Sequence, residues 1–374
     1  LADLAVFNAL NAIEPRYQPY GDPLPPAPDA SPEAAVAAAQ WTVLAVQPEL
    51  NQERLRSAWR DALARIPDSP SKARGIALGQ HAGASMLALR AQDHGVRADT
   101  GRRPPAGPGV YELAPGQRQE APADFGRFRP LAVRSLARLD PGEPAPPGAQ
   151  IARRDLAEIA SVGARDSRSR TAEQTLATLF WDSLQDGDSI ALYAEVARAN
   201  KLSPLQTARM LALATMAEFD AGVAIMAFKE KYRYWRPIMA IRSAHTDPAL
   251  RDPAWEPLLR TPPHPDYPSG GGVIAGVLES LLPHFNASGN APLVLTNRSL
   301  NQTRRWPDAQ AMARELALSR LWGGIHFRNT ILASMRLGRA VADEVLTGQL
   351  RPLGGVSDSS AQPALTVGLR QEAR

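Results

Sequence analysis

The residues best suited to chemistry lie in three stretches of the chain's second half: KEKYRYWRP, YPSGGG and SRLWGGIHFRN. In the first, Lys229 and Arg236 are seven residues apart, about two turns of one helix, so both cations fall on nearly one face. Tyr232, Tyr234 and Trp235 would wall that face, and Pro237 stops or redirects the chain. Taken alone, a basic helix end is more often a solvated C-terminus. In the second, Ser269 can cap a helix opening on Gly270, Gly271 and Gly272, whose bare N–H groups would converge on an oxyanion. A capped helix with a flexible entry explains that stretch equally well in isolation. In the third, Arg320 and His326 are six apart and would face nearly opposite ways on one straight helix. Gly323-Gly324 permits a break that turns both into one pocket, with His326 in the first turn of a new helix.

Combined, the stretches supply three cations, a hydroxyl, glycine N–H groups and one imidazole that can act as nucleophile or ligand. That set matches a tetrahedral oxyanion such as phosphate or vanadate, with arginine geometry adding specificity. The order K-x6-R-P, then P-S-G, then S-R-x5-H is far more specific than any one piece.

On these motifs the chain resembles the vanadium-dependent haloperoxidases and their relatives, the type-2 phosphatidic-acid phosphatase superfamily. FNALNAIEPRY, EIASVGARDSRSRTAEQTLATLFWDS, WRPIMAIR and TPPHPDYPSG extend the resemblance over nearly the whole chain. It implies an all-α fold of two packed helical bundles with the oxyanion site in the second. It also implies vanadate, or phosphate in its place, held by Lys229, Arg236, Ser269, Gly270, Gly271 and Arg320, with His326 as the vanadium ligand or the attacking group. The implied reaction is oxidation of a halide by hydrogen peroxide, with a small organic substrate and a homodimer as further partners.

Two positions depart from the family pattern. The histidine of its PSGH signature is Gly271 here, and loss of an acid/base group costs on the order of 10²–10⁴-fold in rate. Restoring a histidine there is therefore expected to raise turnover by orders of magnitude. Thr330 stands where the family often has Asp, which is expected to weaken the orientation of Arg320 or its neighbours. His264, at the halide side of the motif, is a candidate catalytic replacement, with packing at the pocket rim as its plainer role; His245 and Asp266 are further local acid/base candidates. Two alternatives follow: a soluble acid-phosphatase-type hydrolase working through a phosphohistidine at His326, or a halide-independent homologue that binds phosphate.

The elements that must position these residues are mostly helical. Ser31-Pro32-Glu33, Ser69-Pro70 and Ser203-Pro204 read as N-cap and first turn, and Thr171 with Gln174 as a capping box. The helix from Ser203 should run to about Tyr232; Arg209, Glu218 and Asp220 within it argue against a membrane span. Asn51 to Ile66 is amphipathic, and the run after Pro70 carries small residues suited to close packing. Short β-like pieces are Leu131-Ala132-Val133 and Leu293-Val294-Leu295. Residues 101–150 hold ten prolines and seven glycines, so they form a crossover loop that Tyr111, Phe125 and Phe128 should pack down. This divides the chain into a helical bundle over 1–100, the crossover over 101–150, and a site-bearing bundle over 151–374.

With 374 residues there is ample length for a large core. A net charge of +4 in scattered Arg, without a Lys/Arg block, gives little support for a nucleic-acid partner. No cysteine is present, so disulfides and thiolate ligands are excluded. The chain opens at Leu1 inside a helical pattern, so an upstream segment is expected, and composition fits a soluble protein that is secreted, periplasmic or cytoplasmic.

Overall fold

In the computed structural model, residues 1–91, 93, 104–118, 120, 124–184, 186–286 and 293–354 are described. Parts of the crossover, residues 101–103, 119 and 121–123, and residues 355–374 at the end of the second bundle lie outside them. The fold is all-α. In the first half α1 is Ala2–Ile13, α2 Pro32–Leu44, α3 Gln52–Ala64 and α4 Pro70–Leu89. After the crossover come α5 Gln150–Val162, α6 Ala172–Asp182, α7 Asp186–Ala199, α8 Pro204–Tyr232, α9 Pro237–Arg242, α10 Gly270–Phe285, α11 Ala309–Trp322 and α12 Arg328–Gly348. A small antiparallel hairpin, β1 Leu293–Asn297 with β2 Gln302–Trp306, joins α10 to α11, with Leu293 opposite Trp306 and Asn297 opposite Gln302.

The caps form as their sequences demand. Ser31, Ser69, Thr171 and Ser203 each accept a backbone N–H, and Thr171/Gln174 closes its capping box in both directions. The small residues of α4 have a steric purpose: a Cβ on Gly79 would lie 2.2 Å from the carbonyl oxygen of Ala35 on α2. The same device brings α10 against α12, where a Cβ on Gly338 would lie 1.9 Å from Val273 O. Backbone contact that close fixes α10, which carries Ser269 and the glycines, relative to α12, which begins just after His326.

Helix α8 is the axis of the molecule. It is long and apolar enough to cross a membrane by length and composition, yet most of that apolar stretch is buried inside the fold. Arg209, Glu218 and Asp220 within it have partners: Arg209 Nε donates to Leu350 O at 2.9 Å and lies over the Tyr17 ring at 4.7 Å, and Tyr193 donates to Glu218 at 2.5 Å. Asp220 accepts the backbone N–H groups of Leu131, Ala132 and Val133 at 2.5, 2.8 and 2.7 Å.

That last contact corrects one expectation. Leu131–Val133 is not a strand, because its donors are spent on a carboxylate instead of a neighbouring backbone. It also explains how a Pro/Gly-rich crossover stays down, together with Phe125 and Phe128 packed edge-on against Phe219 of α8 at 5.2 and 6.2 Å and the buried Tyr111. Asp220→Asn should destabilise the protein by about 2–4 kcal/mol, since the charge-assisted bonds weaken and one amide N–H meets other donors. Urea unfolding of wild type and variant measures this, and a change below about 1 kcal/mol would show the crossover to be held by its aromatics instead.

Candidate functional site

The three stretches converge at the C-terminal end of α8 and the N-terminal ends of α9, α10 and α12. Lys229 sits in the last turn of α8 and is 1% exposed. The helix ends at Tyr232 because Arg233 adopts a left-handed conformation, with φ 41° and ψ 44°. Lys229 and Arg236 therefore do not share one helix face, and Pro237 starts a helix instead of ending one. Arg236 is the extended residue before α9, and it is completely buried.

Arg236 organises the centre. Its Nε donates to His264 O at 2.9 Å, and its Nη1 donates to Ile325 O at 2.7 Å and to His326 Nε2 at 3.1 Å. Its Nη2 donates to His264 Nδ1 at 2.9 Å. A guanidinium can only donate, so both contacted imidazole nitrogens must be the unprotonated ones. His326 then carries its proton on Nδ1, which donates to Asp266 Oδ1 at 2.9 Å, and His264 carries its proton on Nε2. The longer 3.3 Å approach of His264 Nδ1 to Pro265 O is accordingly a contact without a proton.

Asp266 is completely buried, and its second oxygen accepts from Thr330 Oγ1 at 2.6 Å. Thr330 thus does not orient Arg320; it tethers the carboxylate that orients His326. Lys229 donates to the carbonyls of Pro265 and Asp266, the latter at 3.2 Å. His326 lies just ahead of α12, which begins at Arg328, so it precedes the new helix instead of falling in its first turn. The break between Arg320 and His326 is at Gly324, with φ +76°.

Ser269 caps α10 by accepting from Gly272 N at 3.3 Å, while its own N–H donates to Ser334 Oγ at 2.8 Å. Gly270 and Gly271, the first two residues of the helix, have N–H groups with no intrahelical acceptor. Arg320, in the last turn of α11, crosses over Gly271: a Cβ there would lie 2.9 Å from Arg320 Cδ and 3.0 Å from Cγ. Its Nε donates to Ser319 Oγ at 3.0 Å and its Nη1 to Asp182 at 3.3 Å. Its Nη2 is buried and has no hydrogen-bond partner among the described residues. His245 is exposed and takes no part in the centre.

Electrostatics make the centre receptive to an anion. Burial, then Arg236, drives the Lys229 ammonium well below its usual pKa, and burial lowers Arg236 to about 10 and Arg320 as well. Burial with the neighbouring cations lowers His264 to about 2 and His326 well below its ordinary value, so both rings are neutral at pH 7. Burial also raises Asp266, against the pull of Arg236, Thr330 and Lys229. Two buried cationic side chains, Lys229 and Arg236, thus lie against one interior carboxylate, Asp266, while the partly buried Arg320 pairs with Asp182 at 3.3 Å. Buried charge without a counter-charge is costly, and a tetrahedral dianion would supply one. The orphaned Arg320 Nη2, the two glycine N–H groups and the His326 Nε2 lone pair fit such a guest.

Residues 209–354 match the model of the VCPO second helical-bundle domain. The whole fold resembles that of the first bacterial vanadium-dependent iodoperoxidase, at a TM-score of 0.78 and 20% identity, covering 94% of this chain and 90% of that one. It also resembles a holo-type bacterial vanadium-dependent chloroperoxidase (0.71, 17%, 92% and 88%) and an apo-type one (0.73, 16%, 92% and 91%). No curated protein matches the sequence. The VCPO match contains Lys229, Arg236, Ser269, Gly270, Gly271, Arg320 and His326, all of which the structure brings together, and His264 joins them through Arg236. The sequence offers Asp266 as an acid/base candidate and Thr330 as a departure from the family pattern, but not their pairing.

Proposed function

We propose that this protein binds vanadate at the Arg236–His326 centre and oxidises a halide with hydrogen peroxide, with a small organic molecule as acceptor. The observation that carries this reading is the buried excess of cations around a neutral imidazole whose Nε2 lone pair is directed inward. Lys229, Arg236, Arg320, Ser269 and the N–H groups of Gly270 and Gly271 would hold the oxygens of the anion, and His326 Nε2 would ligate the metal. When bound, vanadate supplies a Lewis acid that polarises peroxide.

The chain's own groups do the rest. Asp266 keeps the His326 proton on Nδ1, so Nε2 remains a base. Arg236 donates to Nε2 from the interior and must release or share that bond when a ligand arrives. Gly271 offers no acid/base group. His264 is neutral at pH 7, so its Nε2–H serves as a hydrogen-bond donor and not as a proton carrier. Slow turnover follows from that pair of facts.

The test is a halogenation assay with monochlorodimedone, iodide or bromide, peroxide and orthovanadate, alongside metal analysis. Vanadium bound at one site and lost in His326→Ala, with halide-dependent turnover, supports the reading. Bound vanadium without turnover sinks it, and cleavage of p-nitrophenyl phosphate in its place moves the assignment to the phosphohistidine alternative.

The Lys229 shift gives a pH signature. A group with lowered pKa is charged below that value and neutral above it, so anion affinity is full at low pH and declines as Lys229 deprotonates, well under the usual lysine range. Sulfate keeps its charge throughout, so its affinity should fall with rising pH at a point below the ordinary lysine range. Lys229→Met should bind sulfate more weakly on the acid side of that decline and show no decline itself. Isothermal titration across pH reads both, and a pH-independent wild type would remove Lys229 from the site.

A further inference from the structure

A cavity of about 440 Å³ lies between the crossover turn at Ala114–Gln117 and the segment Glu256–Thr261. None of its lining residues belongs to the centre described above, but stretches of backbone that line it also lead into that centre. Leu259 N donates to Gly323 O at 2.9 Å, and Gly323 lies midway between Arg320 and His326. Thr261 is three residues before His264, and Ile238 is two after Arg236. The walls are held by main-chain bonds: Leu258 N donates to Gly163 O at 3.0 Å, and Gln117 Nε2 reaches across to Thr261 O at 2.6 Å. The space is thus preformed and not a gap between loosely placed loops.

Its chemistry is mixed. Ile238, Pro257 and Leu259 give an apolar wall. Glu256 is shared by Arg165, at 3.5 Å, and Arg242. Arg260 is exposed at the rim and has no ion pair among the described residues. The charged lining is thus Arg165, Arg260 and Glu256, and Glu256 is already paired with Arg165 and with Arg242 outside the lining, so the local field favours an anion. The buried Thr261 hydroxyl, on the wall, has no hydrogen-bond partner among the described residues. A volume of this size suits a bicyclic or smaller organic molecule.

We propose that this cavity is the subsite for the organic acceptor and that it takes a small molecule with an apolar body and a carboxylate. The proposal rests on the oxyanion reading for its catalytic meaning, and the experiment separates the two. The full chain is titrated calorimetrically with 1-naphthoate, with neutral 1-naphthalenemethanol, and separately with orthovanadate. Naphthoate should bind about fivefold or more tighter than the alcohol, and Arg260→Glu should erase that preference, weakening naphthoate about tenfold. Leu258→Trp, at a half-buried wall position, should fill the space and weaken both organic ligands. Both variants should bind orthovanadate as wild type does and melt at a similar temperature.

Equal binding of acid and alcohol, or naphthoate binding indifferent to both substitutions, overturns the proposal. Loss of orthovanadate binding in either variant also overturns it, since the cavity would then be part of the oxyanion site itself. Wild type that binds naphthoate in this pattern but no orthovanadate keeps the carboxylate site and sinks the oxyanion reading instead.

Discussion

Gly271→His is expected to weaken oxyanion binding by about 10- to 100-fold and not to restore fast turnover. On sequence alone, a histidine in the PSGH position looks like a missing part waiting to be returned. The structure shows that the position is not vacant. Arg320 lies across Gly271 with Cγ and Cδ at 3.0 and 2.9 Å from where a Cβ would sit, so any side chain must push the guanidinium aside. The atom displaced would include Nη2, the buried donor left without a partner and the one best placed for an anion. Losing one charge-assisted bond accounts for the stated factor. Gly271→Ala separates sterics from chemistry, because it adds only the colliding Cβ. Sulfate or orthovanadate titration should show Ala and His weakened in the same direction, with Ala the milder. Tighter binding and faster halogenation in Gly271→His would mean that Arg320 relocates without loss, and that glycine there is a simple deletion of the acid/base group.

How far the sequence discloses the site depends on which interactions are local. Caps are local, so Ser31, Thr171, Ser203 and Ser269 could be read directly, as could the break at Gly324. The cations Lys229, Arg236 and Arg320 are identifiable from motif order, but their geometry is not: Arg233 takes a left-handed turn that no propensity requires, and it moves Arg236 off the helix and into the interior. Leu131–Val133 looks like a strand by residue type and becomes a clamp because Asp220, far along the chain, captures its donors. Asp266 and Thr330 show the same limit. Each stands out only singly in its own stretch, and their pairing appears only when the segment from His326 into α12 brings an imidazole and a hydroxyl to one carboxylate.

Asp266→Ala should therefore lower orthovanadate affinity by about 10- to 100-fold while leaving sulfate affinity equal or higher. The opposite signs come from two separate effects of one carboxylate. As a charge, Asp266 partly neutralises Lys229 and Arg236, and its removal makes the pocket more positive, which favours any dianion. As an acceptor, it holds the His326 proton on Nδ1 at 2.9 Å, and its removal frees the ring to protonate Nε2, the atom a metal must have unprotonated. Sulfate needs the charge alone, whereas vanadate needs the lone pair as well. Nitrogen-15 NMR of the histidine rings should show the His326 proton moving from Nδ1 toward Nε2 in the variant. Because Thr330 Oγ1 is already 2.6 Å from Asp266 Oδ2, a carboxylate on α12 can reach the same region. Asp266→Ala combined with Thr330→Asp should then recover the Nδ1 tautomer and most of the orthovanadate affinity. Unchanged orthovanadate affinity and an unchanged tautomer in Asp266→Ala would show that Arg236 alone, through its bond to Nε2, sets the state of His326.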